Sequence, residues 1–238
     1  MSTDRYRRQT LVRKFGAQGQ EILRTKYVII IGAGGLGSNS ANLLVRMGVG
    51  CINIIDNDNV DITNLHRTSV FSEQDIGKSK ALILQEKLQQ TNSEVQINGI
   101  NKKLTVENAE YLLKNVDVLI DGTDNIPIRF LINRISVQNN IPWVYAGVHD
   151  TVGMVMGILP KKTPCFQCIA QNIPEKNTQE LPVLGSLPAT IAAIQCSETI
   201  KILLGEETKG LIIYDVWSQC YDIMDIKRNP HCTICGKK

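Results

Sequence analysis

Tyr27-Val28-Ile29-Ile30-Ile31-Gly32-Ala33-Gly34-Gly35-Leu36-Gly37 joins an apolar, β-branched run to a glycine-rich turn. The run reads as a buried strand, and the residues after it read as a helix through Met47 that Gly48 and Gly50 stop. A second apolar run, Cys51–Ile55, ends in Asp56, 19 residues beyond Gly37. Strand, turn, helix, strand and acid make a nucleotide-binding βαβ unit. Gly32, Gly34 and Gly37 let the backbone approach phosphates without Cβ clashes. The helix N-terminus offers N–H groups to anions, and Asp56 accepts from ribose hydroxyls. The unit alone does not separate NAD from ATP.

Outward from this unit the chain alternates. Residues 78–90 repeat apolar positions at helical spacing (Ala81, Leu82, Leu84, Leu88), and 95–100 alternate like a strand. Residues 105–114 read as a helix, 116–120 as a buried strand, 128–138 as a helix and 143–145 as a strand. The pattern predicts an α/β, Rossmann-like fold: a mostly parallel sheet with helices on both faces. From Val152 it changes. Residues 152–159 are strand-like without a following helix, 163–187 read as a long surface loop, 187–204 as a helix, 211–214 as a strand, and a strand-like stretch runs to Lys227. The sheet therefore continues into antiparallel strands. Nothing splits the chain, so residues 1–238 are expected to form a single domain.

The 238 residues are 43% hydrophobic and 21% charged, the composition of a globular domain. With 26 basic against 23 acidic residues the net charge is +3, too near balance to imply a nucleic-acid surface. No apolar run approaches the ~18–20 residues that span a bilayer, so no membrane is expected. The charged N-terminus has no apolar segment behind it, which argues for the cytoplasm. Its basic cluster, Arg5, Arg7, Arg8, Arg13 and Lys14, is local and needs a local explanation.

Asp58, Asn64, Arg67, Lys80 and the pair Asp124-Asn125 fall at predicted strand ends or helix starts. That is where ligands sit in an open α/β sheet. Hydride transfer needs an apolar slot for nicotinamide. Cations and carboxylates suit cleavage of a triphosphate instead. Each residue has a plain alternative: Asn64 and Arg67 in a solvated turn, Lys80 on a helix surface, Asp124 as an N-cap. His66 and His149 read as solvated loop histidines.

Cys165-Phe166-Gln167-Cys168 and Cys232-Thr233-Ile234-Cys235 are two knuckles with 63 residues between them. Four thiolates close a tetrahedral Zn2+ site with no open position, so the metal is structural and staples the long loop to the C-terminal region. A redox pair is the rival, disfavoured because neither knuckle opens a clear helix. Cys51, Cys196 and Cys220 fall in predicted strand or helix and read as buried, inert thiols.

Taken together, Arg5-Tyr6-Arg7-Arg8-Gln9, the 32–37 loop, Asp56-Asn57-Asp58, Asn64-Leu65-His66-Arg67, Gly77-Lys78-Ser79-Lys80, Thr123-Asp124-Asn125 and both knuckles resemble the ThiF/MoeB/HesA-type, E1-like adenylating enzymes over nearly the whole chain. The resemblance implies that Gly35 and Asp56 hold ATP, that Asn64, Arg67 and Lys80 grip its phosphates, and that Asp124 carries Mg2+. It further implies a homodimer, in which Arg8 reaches the triphosphate in the other subunit. A carboxylate would attack the α-phosphorus, release pyrophosphate and leave an acyl-adenylate; already an anion at neutral pH, it needs no general base.

Many such enzymes carry a further cysteine after the first knuckle. Residues 169–185 contain none here, and the segment is shorter than in MoeB-like enzymes. Cys196 is a poor candidate nucleophile inside its predicted helix. The expected product is therefore a free or handed-over adenylate, and no rhodanese-like extension is expected to supply sulfur. Two substrates fit: the C-terminal Gly-Gly of a ubiquitin-like sulfur-carrier protein, or a small-molecule carboxylate with a separate acyl-accepting protein, such as the pyridinol carboxylate of the iron-hydrogenase cofactor. An NAD-dependent oxidoreductase leaves Arg67, Lys80 and the knuckles unexplained, and a non-catalytic zinc scaffold would not bind ATP.

Overall fold

The computed structural model describes residues 5–170 and 182–236. One eight-stranded sheet runs through them: β1 (Tyr27–Ile31), β2 (Cys51–Ile55), β3 (Gln96–Ile100), β4 (Val118–Asp121), β5 (Trp143–His149), β6 (Val152–Ile158), β7 (Leu211–Asp215) and β8 (Cys220–Met224), in the order β3-β2-β1-β4-β5-β6-β7-β8. Strands β1 to β5 are parallel. Strands β6, β7 and β8 are added antiparallel, as the loss of alternation predicts.

β1 shows why the sheet must be covered on both sides. Successive side chains of a strand point to opposite faces. Val28 and Ile30 enter one core with Leu44, Ile54, Leu84 and Ile191, whereas Ile29 and Ile31 enter the other with Leu119, Leu131, Trp143 and Phe166. The first core is closed by α3 (Gly35–Met47), α4 (Lys80–Thr91) and α8 (Leu187–Leu203). The second is closed by α5 (Val106–Leu112), α6 (Ile126–Asn139) and the single turn α7 (Phe166–Ile169). Among the described residues no helix is long and apolar enough to cross a membrane.

Several boundaries differ from the sequence reading, for identifiable reasons. α6 starts at Ile126 because Asn125, not Asp124, is its N-cap: the Asn125 side chain accepts from the Ile128 N–H at 3.0 Å, and Pro127 sits in the first turn. The polar N-terminal stretch holds two helices, α1 (Arg7–Thr10) and α2 (Gly16–Arg24), that were not expected. α2 buries only Gly19, Gln20 and Leu23, too thin an apolar stripe to stand out in sequence. The supposed surface loop 163–187 contains α7, whose Phe166 is fully buried; its residues 171–181 lie outside the described residues. Cys196 is buried and Cys51 half-buried, as read. Cys220 is exposed, because it opens the edge strand β8, every residue of which faces solvent.

The strand order reverses between β1 and β4, and there the packing is tightest. Gly32 has φ +89°, and a Cβ on Gly37 would lie 1.8 Å from Gly32 O. A Cβ on Gly122, just past β4, would lie 2.6 Å from the same oxygen and 2.7 Å from Gly37 Cα. Side chains here cannot be absorbed by rotamer change, because the obstacles are backbone. We expect Gly37→Ala and Gly122→Ala each to lower stability by about 1–3 kcal/mol or more, read as a lower denaturation midpoint at unchanged slope. An unshifted midpoint would mean that these backbones are not in contact.

Candidate functional site

A cleft of about 360 Å³ opens at the carboxyl ends of β1, β2 and β4, within the range of small-ligand sites. Gly32, Gly34 and Gly35 form its floor with the start of α3. α3 has Gly34 at its N-cap and no capping side chain, so its first N–H groups face the cleft without an internal competitor. Open space lies in front of Gly34, where a Cβ would meet nothing within 4 Å. Gly37 is not in the lining; its part is the backbone contact that holds α3 down.

Asp56, at the end of β2, is held by two backbone donors. Ala33 N–H donates to one carboxylate oxygen at 2.6 Å and Asp58 N–H to the other at 2.7 Å. Burial pushes its pKa up, opposed by these two hydrogen bonds and by the charge on Lys80. A carboxylate has about four acceptor positions, so two remain for ribose hydroxyls.

The phosphate-gripping candidates arrive from two further segments. Arg67 ends a 3-10 turn (Ile62–Arg67) and lines the cleft, its guanidinium tethered to Thr63 O at 2.6 Å. Lys80, the first residue of α4, pairs with Asp58 at 3.3 Å; its side chain is only 11% exposed while that of Asp58 is 64% exposed. Both line the cleft. Asn64 does not. Its Oδ1 accepts the Asp61 N–H at 3.1 Å and closes the capping box of that turn, so it shapes the segment that presents Arg67. Arg8 is also elsewhere: Gln9 beside it donates to Met47 O at 2.9 Å, at the far end of α3. That helix has 13 residues, which places α1 roughly 20 Å from the glycine turn of its own chain.

The loop after β4 supplies Thr123, Asp124 and Asn125. Because Asn125 caps α6, Asp124 is not consumed by the helix terminus and stays exposed at the cleft. The loop is held from below by Arg129, which the sequence reading passed over. Arg129 Nε donates to Asp121 at 2.8 Å, and its Nη2 donates to Thr123 O at 2.6 Å and to Ala146 O at 3.0 Å. Its guanidinium lies 5.1 Å from the Tyr145 ring centre. Asp121 Oδ1 in turn accepts from the Thr123 N–H and hydroxyl. The signal was available: a cation one turn inside a helix that follows Asp-x-x-Asp-Asn. Lys102 and Lys103, after β3, were also missed and add positive charge to the rim. His66 and His149 are exposed and do not line the cleft.

The two knuckles meet through the fold. Cys165 Sγ lies 3.7 Å from Cys232 Sγ and Cys168 Sγ lies 3.5 Å from Cys235 Sγ, and all four sulfurs fall within 4.8 Å of one another. A tetrahedral site with zinc–sulfur bonds of about 2.3 Å requires sulfurs about 3.8 Å apart, so the donor set fits such an ion. Cys165 does open a helical turn, as the N-cap of α7, contrary to the reading that neither knuckle does. Burial nevertheless pushes its thiol up, whereas hydrogen bonds, first from the Cys235 and Ile234 N–H groups, overcome burial and lower that of Cys232 to about 7; the convergence of four sulfurs, not of one pair, is what favours a metal. Cys196 donates to Ser40 O, and burial pushes its pKa up to about 12; it is not a nucleophile at neutral pH.

Comparison with known proteins identifies the family. The chain is 34% identical to the sulfur carrier protein adenylyltransferase of Thermus thermophilus, covering 98% of this chain and 90% of that one. It is 31% identical to the sulfur carrier protein ThiS adenylyltransferase of Bacillus subtilis, covering 99% and 72% respectively. The crystal structure of Escherichia coli MccB with ATP superposes with a TM-score of 0.87 at 25% identity, over 99% of this chain and 75% of that one. The ThiF family profile matches residues 6–234, and the chain belongs to this family of E1-like adenylyltransferases.

Proposed function

We propose that the chain uses MgATP to adenylate the C-terminal Gly-Gly carboxylate of a ubiquitin-like sulfur-carrier protein. The observation that carries this reading is one cleft in which a glycine turn, Asp56, Arg67, Lys80 and an uncapped Asp124 converge. Asp56 orients the ribose, and the N–H groups at the start of α3 meet the phosphates. Arg67 and Lys80, both already tethered, neutralise charge that accumulates on the phosphate oxygens as the carboxylate attacks. Asp124 is the residue that would hold Mg2+, whose contribution is further neutralisation of the triphosphate. The carboxylate oxygen bonds to the α-phosphorus and the bond to the β-phosphate bridge breaks. Pyrophosphate leaves, and no proton is transferred. The names of the relatives from Thermus thermophilus and Bacillus subtilis favour a sulfur-carrier protein as the acid.

Arg8 enters as a residue given to a second copy. Its distance from its own cleft is compatible with the role in a partner's cleft that the family resemblance implies, and we place the active site in a homodimer. The four cysteines hold a structural Zn2+, and a cytoplasmic setting suits a chain whose cysteines form a metal cluster and not disulfides.

Three outcomes follow. Arg67→Ala, Lys80→Ala and Asp124→Ala should each lower ATP–pyrophosphate exchange by about 100-fold or more with unchanged circular dichroism; a folded, fully active Arg67→Ala would sink the assignment. Exchange should require a Gly-Gly-ended carrier, and exchange with small aromatic acids alone would replace the carrier by a small-molecule substrate. Co-expressed Arg8→Ala and Arg67→Ala chains, inactive separately, should recover roughly a quarter of wild-type activity, because half the dimers are mixed and each mixed dimer has one complete site. No recovery would rule out Arg8 acting across the dimer.

A further inference from the structure

α6 carries polar residues at four-residue spacing: Asn125 at the N-cap, then Arg129, then Asn133. The first two belong to the cleft. Asn133 does not, yet it is completely buried. Its Oδ1 accepts the N–H of Phe166 at 2.9 Å, which fixes the amide beside Cys165, the preceding residue. Its Nδ2 has no hydrogen-bond partner among the described residues. A buried amide satisfied at one end only is uncommon and costly.

The Cys165 side chain lies beside that of Asn133, whose Oδ1 holds the amide joining Cys165 to Phe166. A neutral thiol is a weak acceptor, whereas a metal-bound thiolate carries charge and accepts strongly.

We propose that Asn133 is an outer-shell residue of the metal centre, donating an N–H···S hydrogen bond from Nδ2 to the metal-bound Cys165 thiolate while its Oδ1 holds the first turn of α7. This rests on reading the four cysteines as a metal site. The helix that supports the Asp124 loop at one end is thereby anchored to the metal staple two turns further on, which makes Asn133 a positioning residue rather than a catalytic one.

The test uses the full chain, nitrogen-labelled and loaded with the NMR-active isotope of cadmium. The Asn133 side-chain N–H should show scalar coupling to the metal through the sulfur. Asn133→Asp keeps the acceptor for Phe166 and loses the donor, and should weaken zinc binding about 10–100-fold in chelator competition. A cadmium-loaded chain without coupling at Asn133, or Asn133→Asp with wild-type zinc affinity, overturns the inference. If the variant does not fold, the wild-type coupling decides alone. A chain that takes up no cadmium overturns the metal centre itself, and this inference with it.

Discussion

Three backbones touch where β1 and β4 part: Gly32, Gly37 and Gly122 approach so closely that a Cβ on Gly37 or Gly122 would fall inside the carbonyl of Gly32. This contact seats the first turn of α3 on the ends of two neighbouring parallel strands. The cleft is the space left above it. A helix N-terminus pinned in this way offers its N–H groups from a fixed position, so an anion meets donors that need no reorganisation. The sheet order makes the same point the meeting place of the segments after β2, β3 and β4, and each contributes charge.

Charged groups in this region divide into those used to build and those left to act. Asp121 and Arg129 are both buried and paired, and Arg129 also carries two backbone carbonyls. Breaking such a pair strands a charge in the interior, a loss on the order of 3–5 kcal/mol, so this pair holds the loop after β4 firmly. Asn125 takes the capping duty of α6. What remains is Asp124, exposed at the cleft and not required by the fold. Arg67 and Lys80 are intermediate: each is steadied by one acceptor and keeps donors unspent.

The cysteine cluster does for the second core what the glycines do at the cleft. It joins segments 63 residues apart in the chain where the second core ends, beneath Trp143, Tyr145 and Phe166. α6 runs between the two places, so the loop that carries Asp124 and the knuckle that carries Cys165 share one rigid support.

The sequence by itself determined the βαβ unit, the mixed sheet and the two knuckles, because these depend on local properties: apolar runs with period two, glycine where the main chain is crowded, and paired thiols at metal spacing. It also pointed to Asp56, Arg67, Lys80 and Asp124 as neighbours, since a parallel sheet brings strand ends together. Tertiary structure alone decided the rest. Asn64 and Arg67 stand three residues apart in one motif, yet only Arg67 lines the cleft, because the turn uses the Asn64 side chain to cap itself. Arg129 and Asn133 look like ordinary helix residues until the sheet and α7 close over them. Burial then converts an unremarkable side chain into an obligatory partner, since a charge or amide removed from water must find its bonds within the protein.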